Sequence, residues 1–252
     1  MKDKTICLLT GTIDANVFNN VGNRICNTSI RLQQYESSIT RYIEDSVFDI
    51  IVFAENSGYE FDYKKFEELA TDLDKRFEYV ACPAYVEETI RCGKSFGEAR
   101  LILDALEKSR LLKDADVIYK CTGRIYLQNS QKICKTKNWH RNEFLVYMCK
   151  NWCFTNIFKF NKEDYLKYFK EETLKCNERT GKDIERVFYE IIEKHSEALD
   201  VGSFSVWPFF DGVQGATLQP YSGGSGERIL RNVMCKLGYF TYGKVAAKYL
   251  KF

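Results

Sequence analysis

Lys120, Thr122, Gly123 and Arg124 follow directly on the run Val117-Ile118-Tyr119. Two cations, a hydroxyl and a glycine therefore gather where a β-branched and aromatic stretch, read as a buried strand, comes to its end. Such a group suits an anion, most simply a phosphate. Its place suits one too, because ligands of open α/β sheets bind outside the carboxyl ends of the strands. A surface turn with two solvated charges is the competing reading.

Other polar groups hold the same kind of position. The run 5–10 reads as a first buried strand, and Thr10, Gly11, Thr12 and Asp14 lie at its end. A first ligand-binding loop belongs there in a nucleotide-binding α/β unit. The dinucleotide fingerprint G-x-G-x-x-G is absent, and a plain strand-to-helix turn would look similar. The run 48–54 ends in Glu55, Asn56, Ser57 and Gly58, groups able to hydrogen-bond a ribose or a base. Gly93-Lys94-Ser95 invites a P-loop reading, but that motif needs a glycine at position 88, where the chain has Glu88. Lys94 at a helix start could still touch a phosphate. Arg31 could reach one as well, a solvated arginine being the more ordinary reading. Asp183 and Glu185 fall in the first turn of a helix over 182–196, where acids complement the helix dipole.

These groups need elements to position them. Strands are expected at 5–10, 48–54, 77–81 and 117–119, with helices at 29–44 and 62–76 and another from Ser95 onward. Ser95 and Glu98 have the spacing of a capping box, and Ala99, Ile102, Leu103 and Leu106 follow on one helical face. The segment 143–160 reads as one or two strands around Asn151, followed by helices over 162–176 and 182–196. Prolines and glycines make 200–226 loop-like. Strand–helix–strand order with polar strand ends implies an α/β fold with a mostly parallel central sheet flanked by helices.

The organisation expected is one domain over 1–227 and a basic amphipathic appendage over 228–252. In that tail Arg228, Arg231, Lys236, Lys244, Lys248 and Lys251 are opposed by no acid. Ile229, Leu230, Val233, Met234 and Leu237 recur at helical spacing, as do Val245, Ala246, Tyr249 and Leu250. A segment of this kind can lie on an anionic leaflet or pack on its own domain.

The 252 residues suffice for one large α/β domain, and a net charge of +2 argues against a nucleic-acid binder. Ten cysteines without a signal peptide suggest a reducing, cytoplasmic compartment. Two histidines, and cysteines outside zinc spacing, disfavour a histidine or zinc centre. No apolar run approaches the ~18 residues of a membrane span.

The pair G-K-S-F-G-E-A (93–99) and Y-K-C-T-G-R (119–124), with a late glycine-rich segment from Trp207-Pro208 to Gly226, resembles small bacterial GT-A-like glycosyltransferases of capsule and lipopolysaccharide gene clusters. The likeness covers about residues 5–226. It implies transfer of a sugar from a nucleotide-sugar donor to a glycan acceptor, lipid-linked or free, at the inner face of the plasma membrane. It implies donor binding by Thr10, Gly11, Thr12, Asp14, Glu55, Asn56, Lys94, Lys120, Thr122, Gly123 and Arg124. It also implies a catalytic base at the start of a helix, Glu185 ahead of Asp183. GT-A enzymes usually hold Mn²⁺ or Mg²⁺ with Asp-x-Asp after the fourth strand. The two matches here, Asp72/Asp74 and Asp114/Asp116, lie in a surface helix and before the strand. With cations where the ligands would be, the expectation is metal-independent transfer, a Mn²⁺ or Mg²⁺ enzyme being the alternative. Two rivals remain at this level: a nucleotidyltransferase of sugar phosphates, and a non-catalytic nucleotide-sugar or glycan-binding module.

Overall fold

The computed structural model describes residues 4–135, 140–215, 217–221 and 223–243. In chain order the elements are β1 (Ile6–Gly11), α1 (Thr28–Glu44), β2 (Ile50–Glu55), α2 (Lys64–Asp72), β3 (Arg76–Ala81), α3 (Val86–Cys92), α4 (Lys94–Lys108), β4 (Val117–Thr122) and β5 (Tyr126–Leu127). Then come α5 (Ser130–Lys135), β6 (Asn142–Tyr147), β7 (Trp152–Asn161), α6 (Lys162–Asp164), a π turn (Tyr165–Phe169), α7 (Lys170–Thr173), α8 (Ile184–His195), β8 (Val201–Gly202), β9 (Phe210–Asp211) and α9 (Ser225–Lys236).

Seven strands form the central sheet in the order β3-β2-β1-β4-β7-β6-β8. β3, β2, β1 and β4 run parallel, β7 is antiparallel to both β4 and β6, and β8 is parallel to β6. β1 and β2 are buried along their whole length, as expected of apolar runs covered on both faces. Alternation then sorts their side chains. Leu8, Val52 and Ile118 join a core with α4 and α8, whereas Cys7, Leu9, Ile51, Phe53 and Tyr119 join one with α1. The second core also takes in Trp207, Phe210, Tyr239 and Phe240 from the late part of the chain. The fold class is thus α/β, with a mostly parallel sheet flanked by helices.

β6 and β7 form the hairpin expected around Asn151, which adopts the left-handed conformation at φ 48°. The β6–β7 register shifts between Glu143 and Leu145, which marks a bulge. Before it, Trp152, Phe154 and Asn156 alternate with Cys153 and Thr155.

Three local expectations need correction. The Ser95/Glu98 capping box does not form. α4 starts one residue earlier, behind Gly93 at φ 100°, where a Cβ would stand 2.5 Å from Glu178 Oε2. Ser95 instead donates its hydroxyl (2.6 Å) and backbone N–H (3.0 Å) to Glu178 Oε1, a helix end satisfied from another element. Arg31 is buried rather than solvated. α9 begins at Ser225, so the boundary drawn at 227/228 falls inside a helix, whose first turn follows the glycines rather than the charges. The rest of the tail, including Lys244, Lys248, Lys251 and the apolar set Val245 to Leu250, lies outside the described residues.

Candidate functional site

The strand order contains its own address for a ligand. From β1 the chain moves outward through β2 to β3, then returns to place β4 on the other side of β1. The connections on the two sides of β1 leave in opposite directions, and a crevice opens at the carboxyl ends of β1 and β4. A cleft of about 460 Å³ lies there. Its lining includes Thr10, Gly11 and Thr12 at the end of β1, Asn56 after β2, and Thr122 and Arg124 at the end of β4. It also includes Lys94 and Glu98 of α4, Arg31 and Tyr35 of α1, Trp152, Phe154, Thr155 and Asn156 of β7, Glu185 of α8, and Gln214, Gly215 and Tyr221.

Arg124 is the cation of the site. It is 9% exposed, and its Nη1 donates to Gln34 Oε1 at 2.9 Å. Among the described residues it has no carboxylate partner. Burial works against its charge, drawing its pKa down, while the neighbouring Tyr35 and Tyr221 act in the charge's favour. A buried guanidinium without an acid is costly unless an anion arrives. Gly215 makes room for it: a Cβ there would stand 3.0 Å from Arg124 Nη2. Lys94 lines the same cleft and is exposed.

Arg31 plays a different part. Its Nε donates to the carbonyls of Thr12 (3.0 Å) and Ile13 (3.1 Å), Nη1 to that of Ile25 (3.3 Å), and Nη2 again to Thr12. The loop after β1 is thereby tied to α1. Glu55 ties it to β2, accepting from the backbone N–H of Ile13 (2.8 Å), Ser57 (2.9 Å) and Gly58 (3.1 Å). Burial nevertheless holds the Glu55 carboxyl above its ordinary pKa, those hydrogen bonds opposing the rise. Thr12 completes the loop, its Oγ1 donating to Asn56 Oδ1 at 2.7 Å and its N–H to Tyr35 Oη at 2.9 Å.

Glu185, at the start of α8, lines the same cleft. Burial, then the nearby charges of Glu98 and Asp183, push its pKa up to about 7, although Thr155 Oγ1 donates to it at 3.0 Å. A carboxyl held near neutrality in a cleft is matched to proton transfer at physiological pH.

Several residues expected at the site do other work. Lys120 is wholly buried beneath the cleft, where Nζ pairs with Glu98 and donates to the Thr155 carbonyl at 2.9 Å. Glu55 is fully buried in the loop. Asp14 caps the 3-10 turn Ala15–Phe18 and accepts from Thr28 Oγ1 at 2.9 Å, bonds that hold its pKa low against burial. Gly123 donates its N–H to the Thr10 carbonyl at 2.8 Å and is not part of the lining. Asp183 is the N-cap of α8, accepting from the Arg186 N–H at 2.8 Å and pairing with the Arg186 side chain. Thr10, Gly11, Thr12, Asn56, Lys94, Thr122, Arg124 and Glu185 come together around one cleft. Sequence reasoning missed Glu98, Tyr35, Asn156 and Tyr221. Glu98 had a signal, since a lysine within a buried strand requires an acid from elsewhere in the chain.

The Asp-x-Asp matches do not reach the cleft. Asp72/Asp74 and Asp114/Asp116 lie at the amino ends of β3 and β4, away from the cleft. Glu98 and Glu185 are the acids of the cleft lining, and Lys120 engages the first. Among the described residues no three His, Cys, Asp or Glu side chains stand together to hold a metal.

The chain matches no protein-family model and no curated protein. Similar solved structures include the nucleoside-diphosphate-sugar pyrophosphorylase from Vibrio cholerae RC9, at 15% identity and TM-score 0.42 over 79% of this chain and 91% of that one. Another is the glycosyltransferase GlyE of Streptococcus pneumoniae TIGR4, at 8% identity and TM-score 0.49, covering 81% of this chain but only 45% of GlyE. Core-mannan synthase A of Aspergillus fumigatus, in its Mn/GDP form, gives 10% identity and TM-score 0.46 over 94% and 86%. With TM-scores below 0.5, any functional reading rests on the residues of this chain.

Proposed function

We propose that the protein is a glycosyltransferase that moves a sugar from a nucleotide-sugar donor to a glycan acceptor, with Glu185 as base and Arg124 and Lys94 as the diphosphate site. One observation carries this reading: a buried arginine that has no acid partner among the described residues and a carboxyl whose pKa is pushed up to about 7 line one cleft at the sheet's switch point. The acceptor hydroxyl gives its proton to Glu185 as its oxygen attacks the anomeric carbon. The anomeric bond to the diphosphate breaks, and its electron pair leaves on the phosphate oxygen, where Arg124 and Lys94 stabilise the charge. Configuration at the anomeric carbon inverts. Thr12 and Asn56 offer hydroxyl and amide groups to the nucleoside. Lys120 acts as a positioning residue for Glu98, and no step is routed through a metal ion.

On this reading the enzyme serves cell-surface polysaccharide synthesis from the cytoplasmic side, on an acceptor carried by lipid. The exposed Ile229, Leu230 and Val233 of α9 and Leu237 just after it, beside Lys236, support a weak hold on an anionic membrane surface. Among the described residues no helix is long and apolar enough to cross a membrane.

The test is incubation with a panel of nucleotide sugars, read by release of nucleoside diphosphate and by transfer to glycan acceptors. Diphosphate release with one donor, abolished in Glu185→Gln, is expected. Release of pyrophosphate from a sugar phosphate and a nucleoside triphosphate would replace this reading with nucleotidyl transfer, and binding without turnover would reduce it to a binding module.

A further inference from the structure

A second cavity, of about 840 Å³, adjoins the cleft and shares Trp152, Phe154, Gln214 and Tyr221 with it. Trp152 and Phe154 are two residues apart on β7, before the bulge, and so project to one side. There Phe154 meets Trp207 at 5.6 Å between ring centroids, and Phe210 meets Tyr221 at 5.9 Å. The late segment 207–221 therefore builds an aromatic wall against the end of β7. Trp152, Phe154 and Tyr221 remain partly exposed, which a ring serving only the core would not require.

The charges of this cavity are one-sided. Lys150, Arg186 and Arg231 line it against a single acid of the lining, Glu227, while Arg186 is held by Asp183 from outside it. Glu227 is already taken by Arg231 at 2.6 Å, and Arg231 lies over the Trp207 ring at 4.4 Å. Lys150 is exposed and, among the described residues, has no acid partner.

We propose that this cavity is the acceptor subsite and that it takes an acidic carbohydrate. The C–H groups of a pyranose ring are polarised positive by the ring and hydroxyl oxygens. They meet the negative faces of aromatic rings favourably, while hydroxyls at the ring edge reach Gln214 and Gln219. A carboxylate or phosphate on the sugar finds Lys150 at the rim. The shared wall of Trp152 and Phe154 brings the acceptor beside Glu185, which lines the adjoining cleft. The role of acceptor rests on the glycosyl-transfer reading above, whereas the binding of an acidic carbohydrate does not.

The experiment measures binding without any donor. The chain has three tryptophans, and two of them, Trp152 and Trp207, line this cavity. Trp139→Phe/Trp152→Phe therefore leaves Trp207, which lines this cavity and not the cleft, as the intrinsic fluorescence reporter. Three probes are titrated: a uronic-acid trisaccharide, a hexose 6-phosphate and the neutral maltotriose. A saturable fluorescence change with either acidic probe, at least ~10-fold tighter than with maltotriose, is expected; which of the two binds tells carboxylate from phosphate. Lys150→Glu should weaken that binding by ~10-fold or more while leaving nucleoside-diphosphate affinity, measured by calorimetry, unchanged. Equal binding of maltotriose, no response to any probe, or an unaltered Lys150→Glu protein would overturn the proposal. Nucleoside-diphosphate affinity is read separately, so failure of the donor site would show as its absence whatever the sugars do.

Discussion

The Lys120 ammonium reaches the Glu98 carboxylate from beneath the cleft floor, with Lys120 fully out of solvent and the Glu98 side chain 29% exposed. The two ends of the pair are therefore unequal. Glu98→Ala leaves a buried ammonium with only the Thr155 carbonyl, and a loss of ~3 kcal/mol in denaturant unfolding is expected. Lys120→Met leaves a carboxylate that can turn to water and should cost less. The double variant Glu98→Ala/Lys120→Met should recover much of the single loss; a double variant as unstable as Glu98→Ala would show that packing, not charge, dominates there.

Arg124 predicts the opposite balance. Its charge is buried without a carboxylate, so Arg124→Ala should leave the melting temperature unchanged or raise it. Turnover should fall by roughly 10²-fold, the usual effect of losing one preorganised donor. Full turnover in Arg124→Ala would remove this residue from the diphosphate site, and collapse of the fold would make it structural.

Glu185 ties activity and stability to the same titration. With a pKa about 7, kcat/KM should rise with pH through that value as the base ionises. The folded protein keeps this proton up to about 7, whereas the unfolded chain releases it near the ordinary 4.5. Its stabilising contribution is thus present below the unfolded value and is lost as pH rises towards 7, by on the order of 3 kcal/mol. Glu185→Gln should be nearly inactive, melt like the parent at pH 4.5 and melt above it at pH 8. A parallel fall in activity and stability at both pH values would point to a structural carboxylate.

Metal independence is tested directly. With Arg124 rather than a carboxylate in the cleft at the end of β4, transfer should persist in excess EDTA. Loss of all activity on chelation, restored by Mn²⁺ or Mg²⁺, would make Asp14 and Asp211 the first carboxylates to test as ligands; Asp211 pairs with Arg41 at 2.6 Å.

The tail supplies the last test. Co-sedimentation with anionic vesicles should exceed that with neutral ones, weaken with salt, and drop in a chain ending at Gly243. Indifference to lipid charge or to truncation would leave the tail as packing.

What the sequence alone determined is the run of elements and the ends of the strands. Apolar runs of strand length, punctuated by glycine and polar residues, placed β1, β2 and β4, and with them Gly11, Asn56 and Arg124. Each of those signals depends only on neighbours along the chain. Depth and partnership are different. Lys120 and Arg124 belong to one short motif, yet only three residues separate a buried cation under the cleft from the one that lines it. The difference is set by how far β4 extends between β1 and β7. Ser95 and Glu98 satisfied a local capping pattern, but Glu178 and Lys120 offered stronger partners from elsewhere in the chain. Arg31 was drawn inside by carbonyls of the loop after β1. Only tertiary structure decided these, because the energy of a buried charge is settled by the groups that folding brings around it, at any distance in sequence.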